Sequence, residues 1–188
     1  MFAAPSGRKH PLTFQPMIAE ERVILVDDDD REVGTAEKLD AHRRGVLHRA
    51  VSALIFDSAG RQLLQRRALS KYHSAGLWSN ACCSHPRPGE SAADAVARRL
   101  REEMGITVPL TPLLRFTYRA EFGDGLVEHE VDHVFTGSFE GSPVPDPAEV
   151  SDWRWIAPDA LAAEMTLAPE SFTAWFRLLV PEVQRVRG

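Results

Sequence analysis

Between residues 91 and 105 the chain reads SAADAVARRLREEMG, a capped helix that divides what surrounds it into strand-like runs. The Ser91 side chain can accept from the first free backbone N–H groups. Ala93, Val96, Ala97, Leu100 and Met104 recur at helical spacing, and Gly105 can adopt the left-handed conformation that ends a helix. Upstream, RVILVD (22–27) and AVSALIFD (50–57) read as strands, and Ser58, Ala59 and Gly60 join the second to RQLLQRR as in a hairpin. Downstream, strand-like runs cover 113–122, 126–136 and 150–156, and two apolar-faced helices, at about 158–165 and 170–180, close the chain. A helix set among strands on both sides predicts a mixed α/β fold. No internal repeat interrupts it.

The 188 residues, 44% of them hydrophobic, suffice for one substantial core, so a single domain is expected over 20–188. Residues 1–19 carry Pro5, Pro11 and Pro16 without apolar periodicity and read as a flexible tail. A formal charge of -5 argues against a general affinity for nucleic acid or anionic membrane and directs attention to a small-molecule partner. No run approaches the roughly 18 apolar residues that span a bilayer, and MFAAPSGRKHP lacks the apolar centre of a secretory signal, so a cytoplasmic location is expected. The two cysteines, Cys82 and Cys83, are adjacent and too constrained to form an ordinary disulfide with each other.

Two groups of residues carry the chemistry. In EHEVD (128–132), strand alternation puts Glu128 and Glu130 on one face, close enough to share a cation. His42 and His48 flank the turn RRGVL, and His85 lies two residues beyond Cys83. Three imidazoles with two carboxylates suit a five-ligand nitrogen and oxygen site for manganese, zinc or iron, whereas magnesium and calcium prefer oxygen.

The run SNACCSHPRPGE (79–90) leading into SAADAVARRLREEMGI resembles the Nudix box, a loop and helix that place carboxylates near a diphosphate-bound cation. Glu90, Arg98, Glu102, Glu103 and Gly105 stand where that box has them. Ser84 replaces its first glycine, and Arg99 replaces a glutamate used in metal-assisted hydrolysis. A cation at that position repels a second metal and can instead contact phosphate, so hydrolysis is disfavoured. This altered helix together with NACCSHP is similar to the type 1 isopentenyl-diphosphate delta-isomerases. The likeness runs from about Glu21 to Trp175 and includes AEKLDAH, His48, QRRALSKYHSAGLWSNACCSHP, FTYRAEF and EHE.

That resemblance implies a Nudix-like mixed sheet between helices, an α+β arrangement. It implies divalent metal ligands at His42, His48, His85, Glu128 and Glu130, with Mn2+ or Zn2+ as the ion. Glu103 would hold a substrate-associated Mg2+, with Cys83 counted among the metal-associated residues. The substrate's diphosphate would meet Lys38, Arg67, Lys71 and Arg99. The family interconverts isopentenyl and dimethylallyl diphosphate, adding one proton and removing another through a tertiary cation. Its proton-transfer groups fall on Cys83 and Glu130, with Tyr118 assisting Glu130. For isopentenyl diphosphate the Glu130 side supplies the proton and a Cys83 thiolate removes one. Trp175 matches the aromatic residue that faces the hydrocarbon, where an indole can stabilise a cation by roughly 2 kcal/mol.

Two other readings share parts of this pattern. A Nudix hydrolase of nucleoside diphosphate derivatives would need no reactive cysteine, and Arg99 opposes it. A structural zinc site built from Cys82, Cys83, His85, His42 and His48 would staple a chain whose apolar content makes a staple unnecessary. Parity separates the thiols: in an extended segment Cys83 shares a face with His85 while Cys82 points into packing. Nearby cations are expected to favour the Cys83 thiolate.

Overall fold

The computed structural model describes residues 21–122 and 125–187. The expected tail over residues 1–19 lies outside them. Strand β3 (His48–Phe56) is the axis of the sheet, and it is buried almost throughout because both of its faces are covered. Val51, Ala53 and Ile55 point to one side and Leu54 and Phe56 to the other. Along one edge β3 runs parallel to β8 (Val127–Ser138), in register from His48 opposite Glu130 to Phe56 opposite Ser138. Along the other edge it meets β1 (Arg22–Val26) at His48, β6 (Cys82–Ser84) across Val51–Ala53, and β4 (Gln62–Arg67) at Phe56. Strand β2 (Glu32–Glu37) adds to β1, while β5 (Trp78–Asn80) and β9 (Val150–Ile156) flank β4. Strand β7 (Thr111–Glu121) lies antiparallel to β8.

Helix α2 (Ala92–Met104) covers one face. Ser91 Oγ accepts from Asp94 N at 3.1 Å, and Gly105 closes the helix at φ +67°. A Cβ on Gly105 would stand 2.6 Å from the Val144 carbonyl oxygen. The buried face consists of Ala95, Val96, Leu100 and Met104, packed on Val51, Ala53, Ile55 and Cys82. Ala93 and Ala97, expected on that face, are exposed: the stripe through 96, 100, 103 and 104 is the one that meets the sheet. Helices α3 (Pro158–Leu167) and α4 (Ala174–Arg187) cover the opposite face, where Trp175, Phe176, Leu179 and Val183 pack on Leu54, Leu64, Tyr118 and Val134.

The strand expectations hold with small shifts of boundary, and four elements are new. Strand β2 is one. AEKLDAH contains helix α1 (Lys38–Arg44), whose N–H groups at Leu39 and Asp40 donate to the Glu37 carboxylate at 3.0 and 2.8 Å. The cysteine segment holds β5 and β6. The last helix starts later than residue 170, because Pro169–Ser171 forms a 3-10 turn and Thr173 N donates to Trp78 O at 2.9 Å. It also continues past Pro181, beyond residue 180.

Candidate active site

Three sequence-distant strands meet at one residue. Glu130 on β8 faces His48 of β3 on one side and Tyr118 of β7 on the other. Helix α1 contributes His42, and the chain just beyond β6 contributes His85. Three imidazole nitrogens converge on Glu130 Oε1: His85 Nε2 at 3.0 Å, His48 Nε2 at 3.3 Å and His42 Nε2 at 3.8 Å. The candidate ligand atoms of these four buried residues all lie within 4.8 Å of one another. His48 Nδ1 lies 2.9 Å from Val46 O, and a carbonyl only accepts, so Nδ1 carries the hydrogen and the Nε2 lone pair faces the carboxylate. His42 Nε2 and His48 Nε2 are buried without hydrogen-bond partners. Lone pairs aimed at a carboxylate repel it unless a cation lies between them, so this donor set fits a divalent metal.

Burial alone would raise the Glu130 carboxyl, but His85 and His48 outweigh it and hold the group well below the usual carboxylate range. Burial, reinforced by His85 and His48 and opposed by Glu130, lowers His42 to about 3. Glu128, expected as a fifth ligand, stands outside the four-residue group. Its Oε2 lies 3.1 Å from Tyr118 Oη, whose hydroxyl donates to Glu130 Oε2 at 2.6 Å. Burial and the Glu130 charge push Glu128 well up, so one of the two neighbouring carboxyls keeps its proton.

The four-residue group borders a cavity of about 260 Å³. Lys38, Arg67, Lys71, Arg99, Cys83, Glu103, Glu128 and Trp175 line it together with His42, His85 and Glu130. His48 and Tyr118 sit behind that surface. The cavity adjoins a wider cationic mouth of about 560 Å³, where Arg22, Arg87 and Arg98 join Lys38, Lys71 and Arg99. A separate cleft of about 360 Å³ between the sheet and helices α3 and α4, lined by Leu54, Phe56, Leu161, Val180 and Val183, holds no titratable side chain.

Sequence reasoning missed the anions of this mouth. Glu149 pairs with Lys71 and, at 3.4 Å, with Arg99, and Glu21 Oε2 is 3.0 Å from Lys38 Nζ. Arg99 also donates to Glu102 and Glu103, each at 2.8 Å. Arg66 turns away, its Nε donating to Gly76 O. His73, also unanticipated, has its Nε2 3.9 Å from Glu128 Oε1, and burial lowers it to about 3.

The thiols divide as parity predicts. Cys82 packs in the α2 core and Cys83 faces the cavity. Cys82 is nevertheless more than packing, because its Sγ lies 3.7 Å from Glu103 Oε1. The thiolate expected at Cys83 is opposed by the protein's own groups. Burial and then the charges of Asp132, Glu130 and Glu128 push that thiol well up, and a hydrogen bond with Ser52 opposes them. Trp175 is buried. Its Nε1 donates to Ser79 Oγ at 2.9 Å, and the Arg67 guanidinium sits 5.2 Å from its ring centroid.

A sheet wrapped by helices on both faces, with its glutamate-bearing helix beside a cavity rich in cations, defines a Nudix protein. Residues 46–176 match the NUDIX domain family. The crystal structure of DR0079 from Deinococcus radiodurans superposes with a TM-score of 0.73 at 26% identity, covering 88% of this chain and 99% of that one. A MutT protein from Methanosarcina mazei shares the fold with a TM-score of 0.60 at 24% identity, covering 74% of this chain and 94% of that one. Within that fold the relatives by sequence are narrower. The isopentenyl-diphosphate delta-isomerase of Burkholderia multivorans is 55% identical over 86% of this chain and 92% of its own length. Isopentenyl-diphosphate delta-isomerase 2 of Aromatoleum aromaticum is 52% identical over 90% and 89%. The chain belongs to the isopentenyl-diphosphate delta-isomerase family.

Proposed function

We propose that the protein interconverts isopentenyl and dimethylallyl diphosphate, and that Cys83 and the Glu130–Tyr118 pair carry the two protons. The observation that carries this reading is the placement of Cys83, Glu130 and Trp175 on the wall of one cavity that adjoins a mouth of cations. Lys38, Arg67, Lys71 and Arg99 would hold the diphosphate, and charge-assisted bonds of that kind supply ground-state binding while the enclosed hydrocarbon end stays dry. Glu21 pairs with Lys38, and Glu149 with Lys71 and Arg99, which holds these three cations in place before substrate arrives.

The alkene needs a proton at its terminal CH2 and must lose one from the carbon next to the one bearing the diphosphate oxygen. Tyr118 Oη, hydrogen-bonded to Glu130 at 2.6 Å, passes a proton on the Glu130 side. Burial and the charges of Glu128 and Glu130 push the phenol well up, so Tyr118 enters the reaction protonated. Cys83 exchanges the second proton, and its thiol ionises only when positive charge enters the pocket. The Trp175 face shields the tertiary cation from water and stabilises it.

His42, His48, His85 and Glu130 would hold Mn2+ or Zn2+, with Glu128 completing the set, and Glu103 would hold a Mg2+ that arrives with the substrate. Bound there, these cations supply positive charge that offsets the diphosphate and favours the ionised forms of the carboxyl and thiol groups facing them. Arg99, paired with Glu103 and Glu149, fills the place where a hydrolase would present another carboxylate. One domain over residues 20–188, acting in the cytoplasm on a small isoprenoid diphosphate, belongs to the same proposal. No helix among the described residues is long and apolar enough to cross a membrane.

Incubation with isopentenyl diphosphate and divalent metal, followed by proton NMR, tests the reading. The expected product is the allylic isomer without released phosphate. Release of phosphate without isomer overturns it.

A further inference from the structure

Behind the cavity wall lies a buried polar pair that the scheme above does not use. Ser52 on β3 stands directly opposite Cys83 of β6 in antiparallel register. Its Oγ donates to Asp132 Oδ2 at 2.7 Å, and Asp132 Oδ1 has no hydrogen-bond partner. Ser52 and Asp132 are 0% and 1% exposed. A carboxyl buried with a single hydrogen bond costs stability, and an apolar side chain of similar volume would serve the core better. The next residues on the same strand faces, Leu54 and Val134, are apolar. The polar pair therefore occurs where the core gives way to the cavity, beneath Cys83 and two residues from Glu130.

Side chains directly opposite each other across an antiparallel pair have Cβ atoms about 4.5–5.5 Å apart, which puts the Ser52 hydroxyl within reach of the Cys83 sulfur. Ser52 is a hydrogen-bond partner of the Cys83 thiol as well as of Asp132, so the hydroxyl held by Asp132 fixes the direction in which the sulfur's hydrogen bond points.

We propose that Ser52, oriented by Asp132, is a positioning residue that aims the Cys83 sulfur for proton exchange with the substrate. The inference rests on the isomerase reading. A thiol free to rotate would spend most of its time misaligned, and small misplacements of a reacting group cost up to about 10²-fold in rate. Substrate binding, made by the cations of the mouth, is untouched.

Steady-state kinetics of the metal-loaded enzyme test this. Ser52→Ala is expected to lower kcat 10- to 100-fold, of the order set by misalignment, with KM unchanged within about twofold. Ser52→Thr, which keeps the hydroxyl, recovers most of the rate. Asp132→Leu loses rate like Ser52→Ala, and Asp132→Asn, which still accepts from Ser52, recovers most of it. If the methyl added by Ser52→Thr disrupts folding, the Asp132 pair supplies the comparison. The double variant Ser52→Ala/Asp132→Ala removes the stranded carboxyl, so a kcat that stays low there is not a stability effect. Wild-type kcat in Ser52→Ala, or in the double variant, overturns the positioning role while the isomerase reading stands. Absence of allylic isomer from the wild type overturns that reading, and the role with it.

Discussion

Cys83 and Cys82 differ by one position and face opposite cores, so their substitution separates chemistry from packing. Cys83→Ala and Cys83→Ser are expected to lose at least about 10³-fold in kcat, within the range of a positioned proton-transfer group, with metal content retained. Cys82→Ala should keep kcat within a few-fold and lose some thermal stability. Turnover assays beside metal analysis check both, and a dead Cys82→Ala would reverse the assignment. Asp132 permits a test by pH. Burial raises its carboxyl to about 8 against an ordinary 3.8, with Ser52 opposing and Glu130 adding to the rise. The unfolded chain therefore releases this proton near pH 4 while the folded chain keeps it, so the wild type loses stability as pH rises from about 4 to 8. Asp132→Asn should gain stability relative to wild type across that window and level off above it. Urea midpoints at pH 5 and pH 8 measure the difference, and an equal difference at both values would refute it. At this scale much of the site was legible, because parity along a strand places Cys83 with His85 and Glu128 with Glu130. Glu149, Glu21 and the Ser52–Asp132 pair were not. Each depends on a partner 17 to 80 residues away, and nothing local marks it.

Helix α2 was the element most fully written in local chemistry, since Ser91 and Gly105 are both caps whose effect needs no tertiary partner. Its orientation was less legible. Alanines at 93 and 97 satisfy the apolar period as well as Ala95 and Val96 do, and only the sheet decides which stripe is buried. Strands β5 and β6, three residues each, are too short for any period to register. Helix α1 was hidden because its cap is a glutamate in a run of charged residues. Gly105→Ala is the sharpest test at this scale. It forces a left-handed conformation on a residue with a Cβ and drives that atom to 2.6 Å from Val144 O, so a loss of about 2 kcal/mol or more is expected. Denaturant unfolding measures it, and a loss below about 0.5 kcal/mol would show that the Val144 segment yields freely.

For the molecule as a whole, metal is expected to couple stability to activity. Stripping divalent ions should abolish isomerisation and lower Tm, because ions that bind only the folded state stabilise it by mass action. Activity assays and thermal melts with and without chelator check this, and full activity in stripped protein would refute it. The mixed sheet itself was legible from the order of strand-like and helical runs. Its parallel pairing was not, since periodicity says which face is apolar but not which strand lies alongside.

That parallel pairing has a kinetic consequence. His48 and Glu130, 82 positions apart in sequence (130 − 48), become neighbours only when β8 docks on β3, a closure that costs loop entropy before any contact rewards it. The His48–Glu130 contact is therefore expected to form late in folding. Added divalent metal should leave the refolding rate nearly unchanged and slow unfolding instead, which stopped-flow chevrons with and without metal would show as a shift of one limb alone. On that outcome the chain finds its long-range register unaided, and a bound ion would lock a topology that it does nothing to nucleate.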